Sequence, residues 1–258
     1  MVGDNISIDI VTITKDIDEA LFTTLNNVSQ QSYPAIDHIV IYPESNELDL
    51  SKLETFKHQK NLLFYPQQGK GIASAFNSGI HRSQGDLTLF LNAGDTLVAD
   101  DVVAKVAANY IQHKWMWATG ETISVSKNKY LKRHRKQHQT WSDRLFFYGN
   151  PICHQSTFYS RELIDKSGLY DESLLIGMDY EYNLRANQLT SPFLLYFPIS
   201  YYDTTGVSSI RVFQQFFNHR RIRDRYFEIP WLEHLKVDLY CFAKALYRLA
   251  MIPAKLWL

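Results

Sequence analysis

The chain has 258 residues, of which 45% are hydrophobic and 14% aromatic, so it can form a packed core and is too apolar for a disordered protein. Its 27 basic and 27 acidic residues cancel, which argues against a protein that coats nucleic acid. The charge is uneven along the chain, because residues 205–258 carry nine Lys or Arg and four Asp or Glu, a net charge of +5.

The first half of the sequence predicts alternating strands and helices. The β-branched run at residues 6–13 predicts a strand. Asp16, followed three residues later by Glu19, predicts the capped start of a helix that extends to about Gln31. Further strands are predicted at residues 38–42, 62–65 and 87–91, and further helices from Gly71, over residues 101–113, near residues 179–189 and as a pair after Ser208. This alternation predicts an α/β fold with a mostly parallel sheet and helices on both faces.

The apolar strand predicted at residues 87–91 ends abruptly in the turn Asn92-Ala93-Gly94-Asp95. Open α/β sheets bind their ligands at the carboxyl ends of the strands, which is where this turn places its carboxylate. Asp95 is therefore a candidate ligand for a divalent cation that carries a nucleotide diphosphate, with the amide oxygen of Asn92 nearby. A plain turn in which Asn92 caps the backbone is the alternative.

A series of short motifs follows the predicted elements in order. They are Val11-Thr12-Ile13-Thr14, Gln30-Gln31-Ser32-Tyr33-Pro34, Gly69-Lys70-Gly71-Ile72, Ala75 with Asn77 and Gly79-Ile80, Gly85-Asp86, Phe90-Leu91-Asn92-Ala93-Gly94-Asp95, Cys153-His154-Gln155, Gly177-Met178-Asp179-Tyr180-Glu181 and Leu184-Arg185. In this order the motifs resemble the family 2 glycosyltransferases of the GT-A fold, in particular the bacterial branch that builds surface polysaccharides. The resemblance covers roughly the first four-fifths of the chain. It implies a Rossmann-like GT-A catalytic domain, which we place at residues 1–205, followed by a basic, amphipathic helical extension at residues 206–258.

Members of this family transfer a sugar from a nucleotide-diphosphate donor to an acceptor hydroxyl, usually with Mg²⁺ or Mn²⁺ bridging the diphosphate. The resemblance implies an inverting, metal-dependent, hexosyltransferase-type enzyme whose acceptor is a lipid-linked glycan in surface polysaccharide biosynthesis. It assigns Asp95 to the metal, which offsets the charge that develops on the departing diphosphate. It assigns Asp179 as the general base that takes the proton of the attacking hydroxyl. The alternative for Asp179 is that it only caps the helix it opens.

The resemblance also assigns residues to each substrate. On the donor side these are Thr14, Asp16, Glu44, Lys70, Asn77, Asn92 and Asp95. On the acceptor side they are His154, Gln155, Arg133 and Arg135. The two arginines belong to a basic segment at residues 127–138, and their guanidinium groups suit the phosphates of a lipid pyrophosphate. A solvated loop is the alternative for this segment.

Three positions around the expected nucleoside pocket depart from the family pattern. The first strand is followed by Thr14-Lys15-Asp16 instead of Thr-Tyr-Asn, the second by Pro43-Glu44-Ser45 instead of an Asp-Asp-Gly-Ser-like turn, and Lys70 follows Gly69 instead of Asp. The identity of the nucleotide base therefore stays open. The second hypothesis is a catalytically silent scaffold protein that binds nucleotide sugars, although such a protein has no reason to keep both Asp95 and Asp179.

The C-terminal extension carries an apolar stripe at helical spacing, with Lys and Arg interspersed. The stripe consists of Trp231, Leu232, Leu235, Leu239, Phe242, Leu246 and Leu249, and Pro253 is expected to end the helix before Leu256-Trp257-Leu258. This pattern is typical of a helix that lies in a membrane interface, and packing on the catalytic domain is the alternative.

The compartment and the partners of the protein are predicted from its cysteines, from the lack of visible targeting and membrane-spanning segments, and from the apolar stripe. The two cysteines, Cys153 and Cys241, have no metal or redox spacing, which favours a reducing compartment. No signal peptide and no ordinary membrane-spanning stretch are visible. We therefore expect a cytoplasmic protein on the inner face of the cell membrane, attached through anionic lipids. Its expected partners are a nucleotide-diphosphate sugar and a lipid-linked glycan acceptor, and no nucleic acid.

Overall fold

The structure is a computed structural model that describes residues 6–45, 48–56, 58–59, 61–125, 132–203 and 212–250. Within those residues, all the strands belong to one sheet. The boundary placed at residues 205–206, the first part of the basic segment, and the expected Pro253 break with its Leu256-Trp257-Leu258 end lie outside the described residues.

The first half of the described chain alternates strands and helices as predicted. The strands are β1 (Ile8–Ile13), β2 (Ile36–Tyr42), β3 (Leu62–Pro66) and β4 (Leu87–Phe90), and the helices are α1 (Glu19–Ser29), α2 (Ile72–Arg82) and α3 (Val102–His113). The four strands pair in parallel in the order β3-β2-β1-β4. Because they are parallel, their carboxyl ends lie at one edge of the sheet.

The start of α1 differs from the prediction, because its N-cap is Asp18 and not Asp16. The Asp18 carboxylate accepts hydrogen bonds from the backbone N–H groups of Ala20 and Leu21, both at 3.1 Å. Asp16 instead accepts a bond from the N–H of Ile17 at 2.8 Å, within the loop before the helix. Both aspartates suit an N-cap chemically, and the one directly before the first helical residue makes it.

The second half of the sheet was predicted least completely. It contains the strands β5 (Thr96–Leu97), β6 (Trp117–Val125), β7 (Lys132–Arg135), β8 (Thr157–Ser160) and β9 (Phe193–Asp203), with the helices α4 (Arg161–Ser167) and α5 (Met178–Leu189). Strand β8 lies antiparallel between β4 and β6, and β9 lies parallel to β6. The sheet is therefore mixed, although its larger part is parallel as predicted.

Alternation along β1 shows how helices cover both faces of the sheet. Ile8 and Ile10 pack with apolar side chains of α3, whereas Val11 packs on the other face with Phe76 of α2. Successive side chains of a strand point to opposite faces, so one strand serves both layers. A Cβ at Gly79 would lie only 2.4 Å from a methyl carbon of Val11. Glycine at this position therefore lets α2 lie directly against β1.

Two C-terminal helices complete the described structure, α6 (Val212–Tyr226) and α7 (Trp231–Ala250). Helix α7 buries Val237 and Ala245 and packs against α6 and the short 3-10 helix Asp143–Tyr148. Within the described residues, no helix is both long enough and apolar enough to cross a membrane.

The predicted apolar stripe on α7 does not face the catalytic domain. Trp231 is 73% exposed and Leu239 is 61% exposed. Leu232, Leu235, Phe242 and Leu246 are exposed as well, and Leu249 is half-buried. The alternative in which these exposed residues pack on the domain is therefore wrong.

Candidate active site

The carboxyl ends of the four parallel strands form one edge, and several residues assigned to the donor lie there. They are Thr14 after β1, Glu44 after β2, Lys70 in the loop after β3, and Asn92 at the start of the turn after β4. The backbone N–H of Thr14 donates to the carbonyl of Ile41 at 3.0 Å, so β1 and β2 stay paired up to this edge. The topology thus brings these four residues together, as an open α/β sheet does at its ligand-binding edge.

The side chains at this edge are held to different degrees. The Thr14 hydroxyl donates to the carbonyl of Asp16 at 2.6 Å and accepts a bond from its N–H at 3.3 Å, which closes the turn after β1. Glu44 and Lys70 are exposed. The donor-binding roles of these four residues stay predictions.

Thr24 of α1 fixes the turn that carries Asp95. Its buried hydroxyl accepts a hydrogen bond from the N–H of Gly94 at 2.9 Å and donates one to the carbonyl of Asp95 at 2.8 Å. Gly94 has φ +94°, a conformation that favours glycine. We call these two hydrogen bonds the Thr24 clamp. The sequence did not predict it, because nothing in the sequence around a threonine inside a helix indicates a distant hydrogen-bond partner.

We expect Thr24→Val to lower the free energy of unfolding by roughly 1–3 kcal/mol, measured by chemical denaturation. Valine keeps the volume but removes the hydrogen bond to the Asp95 carbonyl, whereas the Gly94 N–H keeps its bond to the carbonyl of Ala20 at 3.0 Å. Thr23→Val is the matched control, because the Thr23 hydroxyl is on the exposed side of α1, where it donates to the carbonyl of Glu19. The control should change stability by less than about 0.5 kcal/mol. Equal losses in both variants would contradict the clamp.

His154 connects this turn to the second half of the sheet. Nδ2 of Asn92 lies 3.2 Å from Nε2 of His154, and the His154 ring meets Phe76 edge-on with 5.5 Å between centroids. Burial lowers the pKa of His154, and the nearby carboxylate of Asp179 opposes that shift. A lowered pKa favours the neutral imidazole. A neutral imidazole can accept the hydrogen bond from the Asn92 amide, as the contact requires.

Two side-chain oxygens of this turn fit a divalent cation. The side chain of Asp95 is nearly fully buried. Oδ1 of Asn92 is also buried and has no hydrogen-bond partner in the described structure, which is costly unless a ligand satisfies it. No three His, Cys, Asp or Glu side chains of the described residues converge as a metal site. An ion held here would therefore take its other ligands from a bound diphosphate and water.

Asp179 lies in the first turn of α5, as predicted, and has a partner that the sequence did not suggest. Nδ2 of Asn150 donates to Oδ2 of Asp179 at 2.9 Å. The Asn150 amide is itself held, because its Oδ1 accepts from the N–H of Ile152 at 3.2 Å and from Nδ2 of Asn183 at 3.4 Å. Asn183 in turn accepts a bond from the Tyr159 hydroxyl at 2.8 Å. This chain of hydrogen bonds orients the Asp179 carboxylate and engages one of its oxygens.

Asp179 does not cap its helix. The N-cap of α5 is Gly177, which has φ +88°, and no side chain makes a cap hydrogen bond there. A Cβ at Gly177 would lie 3.2 Å from side-chain atoms of His219 and Ile222, so glycine also lets α6 pack against the start of α5. The alternative role for Asp179 as a cap is therefore wrong.

Asn77 and Gln155 direct their amides into the protein. Asn77 donates to the carbonyl of Tyr170 at 3.1 Å and to Glu172 at 2.8 Å, and it accepts a bond from the Tyr170 N–H at 2.8 Å. The amide thus ties α2 to the segment before α5. The donor-binding role of Asn77 stays a prediction. Oε1 of Gln155 accepts a bond from the Cys153 thiol at 2.9 Å. The acceptor-binding role of Gln155 stays a prediction.

The two arginines assigned to the acceptor lie on β7. Arg135 donates to the carbonyls of Asn150 and Pro151 at 3.1 and 2.6 Å, so it holds the segment that carries Asn150. Arg133 is exposed. The space beside Arg135 measures only about 10 Å³, barely enough for one water. The acceptor-binding roles of Arg133 and Arg135 stay predictions.

Glu181 and Arg185 form a structural network on α5. Arg185 pairs with the buried Glu181 at 2.7 Å and donates to the carbonyl of Leu169 at 2.9 Å. The Tyr226 hydroxyl of α6 also donates to Glu181. The network fastens α5 to α6.

Comparison with known proteins agrees with this arrangement. A family model described as Glycosyl transferase family 2 matches residues 9–165. An uncharacterized glycosyltransferase of Mycobacterium tuberculosis strain H37Rv is 30% identical over 211 residues, which cover 80% of this chain and 78% of that protein. A PGL/p-HBAD biosynthesis glycosyltransferase of Mycobacterium bovis strain BCG is 26% identical over 218 residues, which cover 80% of this chain and 81% of that protein.

Two solved structures share the fold. TarS 1-349 of S. aureus in complex with UDP matches with a TM-score of 0.67 at 15% identity, over 91% of this chain and 69% of TarS 1-349. Mannosyltransferase PcManGT from Pyrobaculum calidifontis, in complex with GDP-Man and Mn²⁺, matches with a TM-score of 0.64 at 16% identity, over 98% of this chain and 75% of PcManGT. These likenesses confirm the predicted GT-A fold.

Proposed function

Because this chain belongs to glycosyltransferase family 2, we propose that it is an inverting, metal-dependent, hexosyltransferase-type enzyme of surface polysaccharide or glycolipid assembly. It moves a sugar from a nucleotide diphosphate to a hydroxyl of a lipid-linked glycan. One observation carries the proposal, the placement of His154 between two candidate groups. The Asn92 amide contacts the imidazole of His154, and the negative charge of the nearby Asp179 carboxylate raises the pKa of the same ring against the effect of burial. These two interactions support a single site in which the turn holds the metal and the carboxylate takes the proton.

On the donor side, Asp95 and Oδ1 of Asn92 would hold Mg²⁺ or Mn²⁺. When bound, the ion supplies positive charge that stabilises the departing diphosphate. Thr24 contributes by fixing the turn, so that both oxygens keep their places without reorganising during the reaction.

On the acceptor side, Asp179 accepts the proton of the hydroxyl whose oxygen attacks the anomeric carbon. The attack comes from the face opposite the diphosphate, which inverts the configuration of that carbon. Asn150 occupies Oδ2 of the carboxylate, so Oδ1 is the oxygen that takes the proton. A carboxylate held in this way is already oriented and does not have to change its side-chain conformation before each transfer.

A thermal-shift panel with UDP-, GDP- and TDP-sugars, with and without Mn²⁺, tests donor binding. At a hundredfold excess over the dissociation constant, the matching donor should raise the melting temperature by roughly 5–10 °C, and more strongly with Mn²⁺. TarS is bound to UDP and PcManGT to GDP-Man, so the fold accommodates either base. The panel therefore also identifies the base. If every nucleotide leaves the melting temperature unchanged, the donor-binding claim fails.

The silent nucleotide-sugar-binding scaffold is the second candidate, favoured by the altered donor edge where Glu44 is exposed. Such a protein would respond to the panel and transfer no sugar. The hydrogen bond from Asn150 that orients Asp179 supports the enzyme instead, since a scaffold needs no oriented base.

The exposed stripe on α7 supports peripheral attachment to the inner, cytoplasmic face of the cell membrane. Leu235, Leu239 and Phe242 present an apolar surface, which Phe213 and Phe217 of α6 extend. Apolar burial at the headgroup boundary and attraction of nearby basic residues to anionic lipids act together at such a surface.

Leu239→Glu should weaken binding to vesicles that contain anionic lipid by about tenfold or more, measured by co-sedimentation. The change removes one buried leucine, worth about 1.5–3 kcal/mol, and adds a repelled charge. Ile111→Glu is the matched control, because Ile111 is 40% exposed on α3 and belongs to another surface. Equal binding of wild type and Leu239→Glu would contradict attachment through this stripe.

A further inference from the structure

A cleft of about 180 Å³ separates the segment that begins at Phe147 from the two C-terminal helices. One water needs roughly 10–15 Å³ on the same measure, so the cleft admits a group at least as large as a phosphate. Neither the donor edge nor the metal-binding turn contributes to its lining, which comes from residues 147–150, α6 and α7.

The lining of this cleft is cationic. It includes Arg220, Arg223 and Lys244 and no carboxylate. Two aspartates bind the guanidinium groups outside the lining, since Asp238 lies 2.9 Å from Nε of Arg220 and 2.9 Å from Arg223, and Asp224 lies 3.1 Å from Arg223. The closest contact of Arg220 with each of these aspartates is made by its Nε atom. Such a lining suits a phosphate, which arginine binds through paired hydrogen bonds.

The cleft leads to the proposed base. Asn150 lines it and donates to Asp179 at 2.9 Å. His219 also lines it, and its ring stacks on Tyr180, the residue after Asp179, with 4.3 Å between centroids. A molecule held in the cleft is therefore one side chain away from Asp179.

The cleft also leads to the exposed apolar stripe. Helix α7 lines the cleft with Cys241 and Lys244, and Phe242, which lies between them in sequence, belongs to the stripe. Phe216 lines the cleft from α6 and contacts Phe242 with 5.9 Å between ring centroids. An apolar chain attached to a phosphate in the cleft would reach the stripe over these two rings.

We propose that this cleft binds the phosphate of the lipid-linked acceptor through Arg220 and Lys244, with the lipid over Phe216 and Phe242 and the sugar towards Asp179. The proposal rests on the proposed function and names the chemistry of its acceptor, a phosphate that carries an apolar chain. It places the phosphate site at the C-terminal helices instead of at the basic segment on β7.

Cys241 provides a reporter inside the cleft of the full-length protein. Its alkylation by N-ethylmaleimide is followed by peptide mass spectrometry, with farnesyl phosphate, farnesol and inorganic phosphate as probes. Farnesyl phosphate should slow the modification about fivefold or more, and farnesol should not. Burial raises the pKa of the Cys241 thiol as well, so its alkylation is measured at alkaline pH. Burial raises the pKa of Cys153 to about 11, so Cys153 should stay unmodified, and its modification would report loss of the fold.

Substitutions of residues inside and outside the cleft then test whether the protection of Cys241 arises from binding in the cleft. Lys244→Gln and Arg220→Gln should abolish protection by farnesyl phosphate, and Lys236→Gln should keep it, because Lys236 is exposed on the same helix outside the cleft. Lys244→Gln decides the matter if Arg220→Gln fails to fold. No protection, equal protection by farnesol, or protection that survives Lys244→Gln would overturn the proposal. Equal protection by inorganic phosphate would overturn its lipid part.

The two proposals fail separately. A protein that responds to nucleotide sugars but shows no protection of Cys241 rejects only the acceptor site. A protein that shows protection but responds to no nucleotide sugar keeps a lipid-phosphate site and loses the glycosyltransferase mechanism.

Discussion

Asp179→Asn should reduce sugar transfer by roughly 10²–10⁴-fold, the usual cost of losing a general base. The new amide cannot accept the hydroxyl proton, yet its oxygen can still accept the hydrogen bond from Asn150. The start of α5 should also keep its shape, because Gly177 and not Asp179 is its N-cap. Donor binding should therefore remain nearly that of the wild type.

Transfer by Asp179→Asn is measured as product formation from the donor that the thermal-shift panel identifies, and donor binding as the shift itself. Asp165→Asn is the matched control, since its carboxylate is exposed on α4 and its nearest charged neighbour, Arg161, lies 3.9 Å away. The control should transfer sugar at the wild-type rate. Wild-type turnover by Asp179→Asn with the authentic acceptor would discard the assignment of the base.

Asp95→Asn should weaken metal-dependent donor binding by more than the roughly 10–100-fold that substitutions in the outer shell of a metal site cost. The amide keeps the size of the buried side chain, and the Thr24 clamp acts on the backbone of Asp95, so the turn should persist. What is lost is the negative charge that a hard divalent cation prefers. Calorimetric titration of the donor with Mn²⁺ measures the change.

The same titration with EDTA provides the test of mechanism. Without metal, the wild type and Asp95→Asn should bind the donor equally weakly, so the two curves converge. Asp100→Asn is the matched control, because Asp100 is exposed five residues downstream. An Asp95→Asn variant that keeps full Mn²⁺-dependent affinity would remove Asp95 from the metal site.

The elements that the sequence predicted are those whose signals are local. A β-branched run marked β1, a short apolar run marked β4, and an apolar face at helical spacing marked α2. Strands β6 and β9 were harder, because half-buried antiparallel and mixed strands depend on partners that are distant in the chain. The cap at Asp18 was missed for the opposite reason, since Asp16 offered an equally good local signal.

The residues of the candidate site likewise divide into those that the sequence predicted and those that only the fold brings together. Asp95 and Asp179 lie in motifs that carry the family resemblance, and the structure places both beside His154 and its neighbours. Thr24 and Asn150 lie outside every motif, and only the fold brings them to the residues they hold. Asn77 shows the converse, because the amide at this motif position bonds the backbone of Tyr170 inside the protein. The sequence alone does not reveal where the partners of such an amide lie.

The contacts between α5 and α6 mean that the C-terminal helices cannot be exchanged independently of the rest of the protein. Tyr226 bonds Glu181, His219 stacks on Tyr180, and Asn218 donates to the carbonyl of Ile176 at 2.9 Å. The helices that carry the exposed apolar stripe therefore also support the turn that begins α5. Replacing these helices with another C-terminal segment, by recombination or by engineering, would require the start of α5 to be rebuilt at the same time.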